Sequence, residues 1–94
     1  MLHAVVLVNC KSDVIPETAQ AIADVEGVSE VYSVTGDIDL VAIVRVAGDQ
    51  DLPRVVPQGI AKVPGVEKTE TLIAFEVYSK HDLERLFSIG FEEG

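Results

Sequence analysis

A short motif occurs twice in this chain, and the repetition limits the fold more than any other feature. Val25-Glu26-Gly27-Val28 precedes Val63-Pro64-Gly65-Val66 by 38 residues, and the same offset sets Val31, Ser33 and Val34 over Thr69, Thr71 and Leu72. The segments around each copy follow one plan. Leu2 to Val8 is a β-branched run of the kind buried on both faces. Ile15, Ala19, Ile22 and Ala23 then form one helical stripe, and Pro16 with Glu17 suits a first turn. Gly27 is expected to end that helix as its C′ residue. Val28 to Val34 reads as a second strand and Leu40 to Val46 as a third, joined as an antiparallel hairpin with Gly36-Asp37 in the turn.

The second half repeats the plan with one conflict. Leu52, Val55, Val56, Gly59, Ile60 and Val63 have the spacing of a buried helical face, but Pro57 and Gly59 interrupt it. An interior proline costs about 3 kcal/mol, so a kink or a late start is expected. Pro64-Gly65 closes the segment. Val66 to Tyr78 is the longest strand candidate, and Asp82 to Ser88 reads as a short terminal helix. Two βαβ units with right-handed crossovers interleave into an α+β, ferredoxin-like βαββαβ sandwich: a four-stranded antiparallel sheet with two helices on one face. Residues 1–78 would form this domain and 79–94 a C-terminal extension, with Leu83, Leu86 and Phe87 on one helical face.

Size leaves no room for a second domain: 94 residues bury one modest core. In the third strand Val41, Ile43 and Arg45 alternate with Leu40, Ala42, Val44 and Val46. In the fourth, Leu72, Ala74, Glu76 and Tyr78 alternate with Thr71, Ile73, Phe75 and Val77. Both sheet faces are therefore largely apolar while the helices cover one, and a second copy is the economical cover. The sixteen acidic residues exceed the seven basic ones, for a net charge of −9, which argues against direct contact with nucleic acid. A hydrophobic fraction of 48% and a mean hydropathy of +0.30 are too apolar for a disordered acidic tail. No apolar run approaches the roughly 18 residues of a membrane span, and residues 1–15 lack a signal-peptide layout. With Cys10 as the single cysteine, no internal disulfide can form, and a cytoplasmic location is expected.

Little here suggests catalysis. His3 and His81 have no metal-ligand spacing to a partner, and Cys10 has no local base to activate it. No phosphate-binding loop, dinucleotide fingerprint or zinc-protease motif is present, so no cofactor or metal is implied and an enzyme is not expected. The stretch Val34-Thr35-Gly36-Asp37-Ile38-Asp39-Leu40 admits two readings. It is a hairpin turn in which Gly36 allows positive φ and Asp37 caps the bend. The functional reading beside it is a backbone cradle next to two anions, able to hold a carboxylate and an ammonium together. Thr69 and Thr71 are ordinary β-formers, or two hydroxyls at a spacing a small zwitterion could use.

The residues from Gly27 through Tyr32, with Val34-Thr35-Gly36-Asp37-Ile38-Asp39-Leu40-Val41, resemble the effector-binding half of Lrp/AsnC transcriptional regulators, also called the RAM domain. Pro64-Gly65-Val66 followed by Thr69-Glu70-Thr71-Leu72-Ile73 matches the family's second landmark. The resemblance runs from about Leu2 to Tyr78. It implies the same sandwich, dimers formed through the sheets, and further assembly of dimers into rings. It also implies small effectors, typically amino acids, bound between dimers near the loop. By position those contacts fall on Thr35, Gly36, Asp37, Ile38 and Asp39, and on Thr69 and Thr71. Ile38 stands where the family commonly has an aromatic residue. Met1 leads directly into the first strand, which suggests a stand-alone form without the helix-turn-helix. The expected role is an amino-acid-sensing module that modulates transcription by joining full-length Lrp/AsnC relatives or by presenting a ligand-dependent surface. Two rivals stand beside it. One is a small ferredoxin-like enzyme, although the loop Asn9-Cys10-Lys11-Ser12-Asp13 lacks the arginine an acyl-phosphate site needs. The other is a structural oligomerisation module without a ligand.

Overall fold

The structure, a computed structural model, describes residues 1–80. Its elements are β1 (Leu2–Cys10), α1 (Ile15–Ala23), β2 (Val28–Ser33), β3 (Leu40–Val46), α2 (Leu52–Val55) and β4 (Val66–Ile73). The strands form one antiparallel sheet in the order β2-β3-β1-β4. This is the ferredoxin-like arrangement that the repeat predicts. The long central strands β1 and β3 pair from Leu2↔Val46 to Val8↔Leu40. The terminal helix expected at 82–88, with His81 and the apolar residues Leu83, Leu86 and Phe87, lies outside the described residues.

Register divides the sheet into two faces. Ala4, Val6, Val8 and Cys10 of β1 and Leu40, Ala42, Val44 and Val46 of β3 are buried beneath the helices. They form the core with Ile22 of α1, Val55 of α2 and Ile60. Such alternation is what a period of two requires when one face is covered. On the other face Val5 and Leu7 lie beside Val41 and Ile43, half-buried by one another alone. Tyr32 and Leu72, which pair with Val41 and Val5, widen this stripe and are 48% and 47% exposed. Its margins are polar. Glu30 lies opposite Ile43, Arg45 opposite His3, Glu70 opposite Leu7 and Lys68 opposite Asn9. The open face is thus apolar along its centre rather than throughout. Glu30 accepts the Tyr32 hydroxyl proton in a hydrogen bond, which, with burial and the nearby Glu30 charge, raises the Tyr32 pKa against the opposing pull of Arg45.

Four local expectations change. α1 ends at Ala23, with Asp24 as its cap, so Gly27 is not the C′ residue. It instead forms the turn into β2 at φ +102°, where a Cβ would come within 2.7 Å of Val55 Cγ2. The second helix starts on time but does not continue. α2 has four residues, and the Gln58 N–H reaches back to the Pro53 carbonyl while the Ala61 N–H reaches Val56, before a 3₁₀ turn at Ile60–Lys62. Pro57 has no N–H to offer the helix ladder, and a Cβ at Gly59 would stand 2.4 Å from the Val55 carbonyl oxygen, so the chain widens instead of kinking. β2 stops at Ser33. β4 stops at Ile73, five residues before Tyr78: Ile73 faces Ala4, the Ala74 N–H still bonds to the His3 carbonyl at 2.9 Å, and the pairing goes no further. Phe75, Val77 and Tyr78 therefore leave the sheet, Phe75 and Tyr78 almost fully exposed.

Candidate functional site

Two loops meet at the C-terminal end of β1, and three consecutive residues, Asn9 and Cys10 of β1 and Lys11 just past it, hold them. Asn9 donates its side-chain amide to the Asp37 carbonyl at 2.6 Å. The Cys10 N–H donates to Asp39 Oδ2 at 2.9 Å, and the Lys11 N–H to the Gly65 carbonyl at 2.9 Å. The loop from Val34 to Asp39 is closed on itself by the Val34 N–H, which donates to the Asp39 carbonyl at 3.1 Å. The Asp39 N–H bonds in turn to the Val8 carbonyl at 3.0 Å. This loop is anchored from Asp37 to Asp39, and its tip is open at Gly36.

The tip has the features of a cradle. Thr35, Gly36 and Asp37 are exposed, whereas Ile38 and Asp39 are half-buried. Gly36 has φ +104°, a region that L side chains rarely adopt, and no atom stands within 4 Å of where its Cβ would be. Its conformation is thus required by the backbone turn and not by crowding. The space above Gly36 is open.

The two aspartates differ in a way the sequence does not reveal. Asp39 spends one carboxylate oxygen on the Cys10 N–H, where β1 shifts register against β4 between Asn9 and Cys10. The Cys10 N–H points to the β3 side, where the β1–β3 ladder ends at Val8↔Leu40, and the carboxylate satisfies the amide in place of a strand partner. A loop aspartate that would contribute little to folding is instead a structural clamp. Asp37 projects from the exposed tip and is held through its backbone carbonyl. Cys10 is buried, and its thiol pKa is raised by burial first and then by the Asp39 and Glu67 carboxylates. An electronegative, buried thiol is a poor nucleophile.

Thr69 and Thr71 fall on the same side of the sheet, opposite Val8 and Val6. Thr69 is half-buried and Thr71 exposed. They do not converge with the loop of their own chain. Asp39 and Thr69 flank Val8 from opposite sides, so two strand spacings, roughly 10 Å, separate them. An amino acid's ammonium and carboxylate cannot bridge that gap by themselves.

One group of residues near this rim had no signal in the hydrophobic pattern. Thr18 is the single buried polar residue among those described, 1% exposed, and donates its hydroxyl to the Pro64 carbonyl at 3.2 Å. A cleft of about 400 Å³ opens beside this bond, lined by Lys11, Val14, Glu17, Thr18, Ala21, Pro64 and Gly65. Among the described residues no group of three or more His, Cys, Asp or Glu is placed to hold a metal ion. No described helix is long and apolar enough to cross a membrane.

A four-stranded sheet with helices on one side and an anchored, glycine-tipped loop between β2 and β3 defines a ferredoxin-like α+β domain, and sequence comparison gives it a family. The profile of the Lrp/AsnC ligand binding domain matches residues 3–83. The chain belongs to the Lrp/AsnC family. It is 33% identical over 76 residues to an uncharacterised HTH-type transcriptional regulator of Pyrococcus horikoshii, a match covering 81% of this chain and 51% of that protein. The regulator FL11 of Pyrococcus abyssi is 31% identical over 77 residues, covering 82% and 50%. This chain spans about half the length of these curated relatives. Among solved structures, TTHA0845 of Thermus thermophilus superposes with a TM-score of 0.79 at 46% identity, covering 85% of this chain and all of that one. AsnC of E. coli shares the fold at 22% identity, with a TM-score of 0.76 over 83% of this chain and 53% of that one. A transcriptional regulator of Neisseria meningitidis, solved as a complex with L-Met, shares it at 15% identity and a TM-score of 0.73, over 83% and 52%.

Proposed function

We propose that this domain senses an amino acid or a closely related zwitterion and passes the signal to transcription through other proteins. The observation that carries the reading is the Val34–Asp39 loop, whose base is fastened to β1 while its tip stays open around Gly36. Backbone amides near Gly36 would receive the carboxylate, and the exposed Asp37 the ammonium. Ile38 would face the ligand's side chain, and Asp39 would hold the loop in shape. Thr69 and Thr71 would complete the pocket from a neighbouring molecule, since one chain keeps them roughly 10 Å from the loop. Family membership and the L-Met complex of a regulator with this fold support the ligand class.

Assembly belongs to the same reading. The apolar centre of the open face, Val5, Leu7, Val41 and Ile43 flanked by Tyr32 and Leu72, suits a second copy laid sheet to sheet. Further association of such dimers would bring loop and threonines together. Full-length family members are the natural partners for mixed assemblies, and the net charge of −9 disfavours direct contact with DNA. A cytoplasmic location and the absence of enzymatic activity fit this role.

A thermal-shift screen against the amino acids tests the proposal. A ligand at 100 times its Kd adds about 2.7 kcal/mol of stability, a shift of well over 5 °C for a domain this small. One or a few amino acids should raise the melting temperature. No shift with any of them at millimolar concentration would refute the sensing role.

A further inference from the structure

The loop between β2 and β3 leaves a run of main-chain groups without protein partners. The Val34 N–H bonds to the Asp39 carbonyl, and the Asp39 N–H bonds to the Val8 carbonyl. Between them, the N–H groups of Thr35, Gly36, Asp37 and Ile38 donate to no acceptor among the described residues. The Ile38 carbonyl likewise accepts no bond from them. Thr35, Gly36 and Asp37 are exposed, so water can satisfy their amides. Ile38 is half-buried, and its main chain is aimed by what holds its two neighbours.

Two hydrogen bonds fix that aim. Asn9, at the end of β1, donates its side-chain amide to the Asp37 carbonyl at 2.6 Å. A trans peptide sets its N–H opposite to its C=O, so the Ile38 N–H points away from Asn9 and β1. On the other side of Ile38, the Asp39 N–H turns inward to the Val8 carbonyl at 3.0 Å. By the same rule the Ile38 carbonyl also points away from β1. Ile38 therefore offers a donor and an acceptor in one direction, the pattern a strand residue offers to its neighbour. The amino and carboxylate groups of one amino acid match that pattern.

Building on the sensing role of this loop, we propose that Asn9 is a positioning residue for the ligand's carboxylate. By fixing the Asp37 carbonyl it aims the Ile38 N–H at the carboxylate, while the ammonium meets the Ile38 carbonyl and the Asp37 side chain. No ion pair among the described residues involves Asp37, so its carboxylate is left for that contact. Asp37 has no second main-chain tether, so without the Asn9 amide the peptide between Asp37 and Ile38 is free to turn. The Ile38 carbonyl is fixed separately, through Asp39 and Val8. Loss of Asn9 thus removes the carboxylate's donor and spares the ammonium's acceptor. An N–H bond to a carboxylate is about twice as strong as one to a neutral carbonyl, so this arrangement selects the free acid over its carboxamide.

The test begins with the isotope-labelled full chain and an equimolar mixture of the protein amino acids. The mixture should move the amide signals of Gly36, Asp37 and Ile38. Calorimetry then compares the amino acid responsible with its carboxamide, on the wild type and on Asn9→Ala. Asn9→Ala should weaken the free acid at least about tenfold and leave the carboxamide within about twofold. A loop that had merely loosened would lose both ligands alike. Asn9→Leu, close in size to asparagine but without a donor, should repeat the result and stands in if Asn9→Ala does not melt as a folded protein. Unchanged affinity of the variants for the free acid, or equal losses for acid and carboxamide, overturns the positioning role and leaves sensing intact. A mixture that moves no signal of this loop overturns both.

Discussion

Gly65 and Gly36 hold nearly the same backbone angle, φ +97° and +104°, in opposite surroundings. At Gly65, in the turn before β4, a Cβ would stand 2.4 Å from Thr18 Oγ1 and 3.0 Å from Val14 Cγ2. At Gly36, at the tip of the loop between β2 and β3, it would meet nothing. Gly27, the equivalent of Gly65 in the first half of the repeat, is crowded in the same way by Val55 and Val46. The repeated glycines let each crossover pack closely against a helix or its partner strand. The unrepeated one serves a loop that packs against nothing at its tip, and the difference separates glycine kept for the fold from glycine available for binding.

The contrast makes graded predictions. Gly65→Ala should cost the most, about 2–5 kcal/mol, because backbone strain of roughly 1–2 kcal/mol adds to overpacking against Thr18 of about 1–3 kcal/mol. Gly36→Ala should cost only the strain, about 1–2 kcal/mol. Urea denaturation of both measures the gap, and equal losses would erase the distinction between the two regions. Asp39→Ala should cost a comparable 1–2 kcal/mol by leaving the Cys10 N–H unpaired, whereas Asp39→Asn should recover part of it through its carbonyl oxygen. The smallest effect belongs to Asp37→Ala, within about 0.5 kcal/mol of the wild type, since its exposed carboxylate supports no packing. Cys10 gives a kinetic counterpart. Burial and its two carboxylate neighbours keep the thiol protonated, so alkylation at pH 8 should be slow in the folded protein and fast in denaturant.

Much of the architecture was legible because period and repeat agree. The even residues of β1 and β3 carry the whole buried face, and Leu40–Val46 falls where its alternation places it. Three features were not legible for physical reasons. The end of β4 depends on where its pairing with β1, a partner more than sixty positions away in sequence, stops, so local pattern carries Val66–Tyr78 too far. The second helical stripe is real as packing, since Val55 and Ile60 are both buried, but Pro57 and Gly59 deny it a continuous ladder. The candidate loop was visible in Gly36 and its flanking acids, yet its two aspartates looked interchangeable. Only the end of the β1–β3 ladder at Val8↔Leu40, a tertiary event, leaves the Cys10 amide without a strand partner, so that it claims Asp39 and leaves Asp37 at the tip.

That division of labour is the central claim, and titration calorimetry with an amino acid that raises the melting temperature tests it most directly. Charge-assisted contacts contribute roughly 1.5–3 kcal/mol each, so Asp37→Ala should weaken binding about ten- to a hundredfold at unchanged stability. Asp39→Asn should bind more nearly as the wild type does. If Asp37→Ala binds the amino acid as tightly as the wild type, the ammonium is held elsewhere and the site does not lie at this loop.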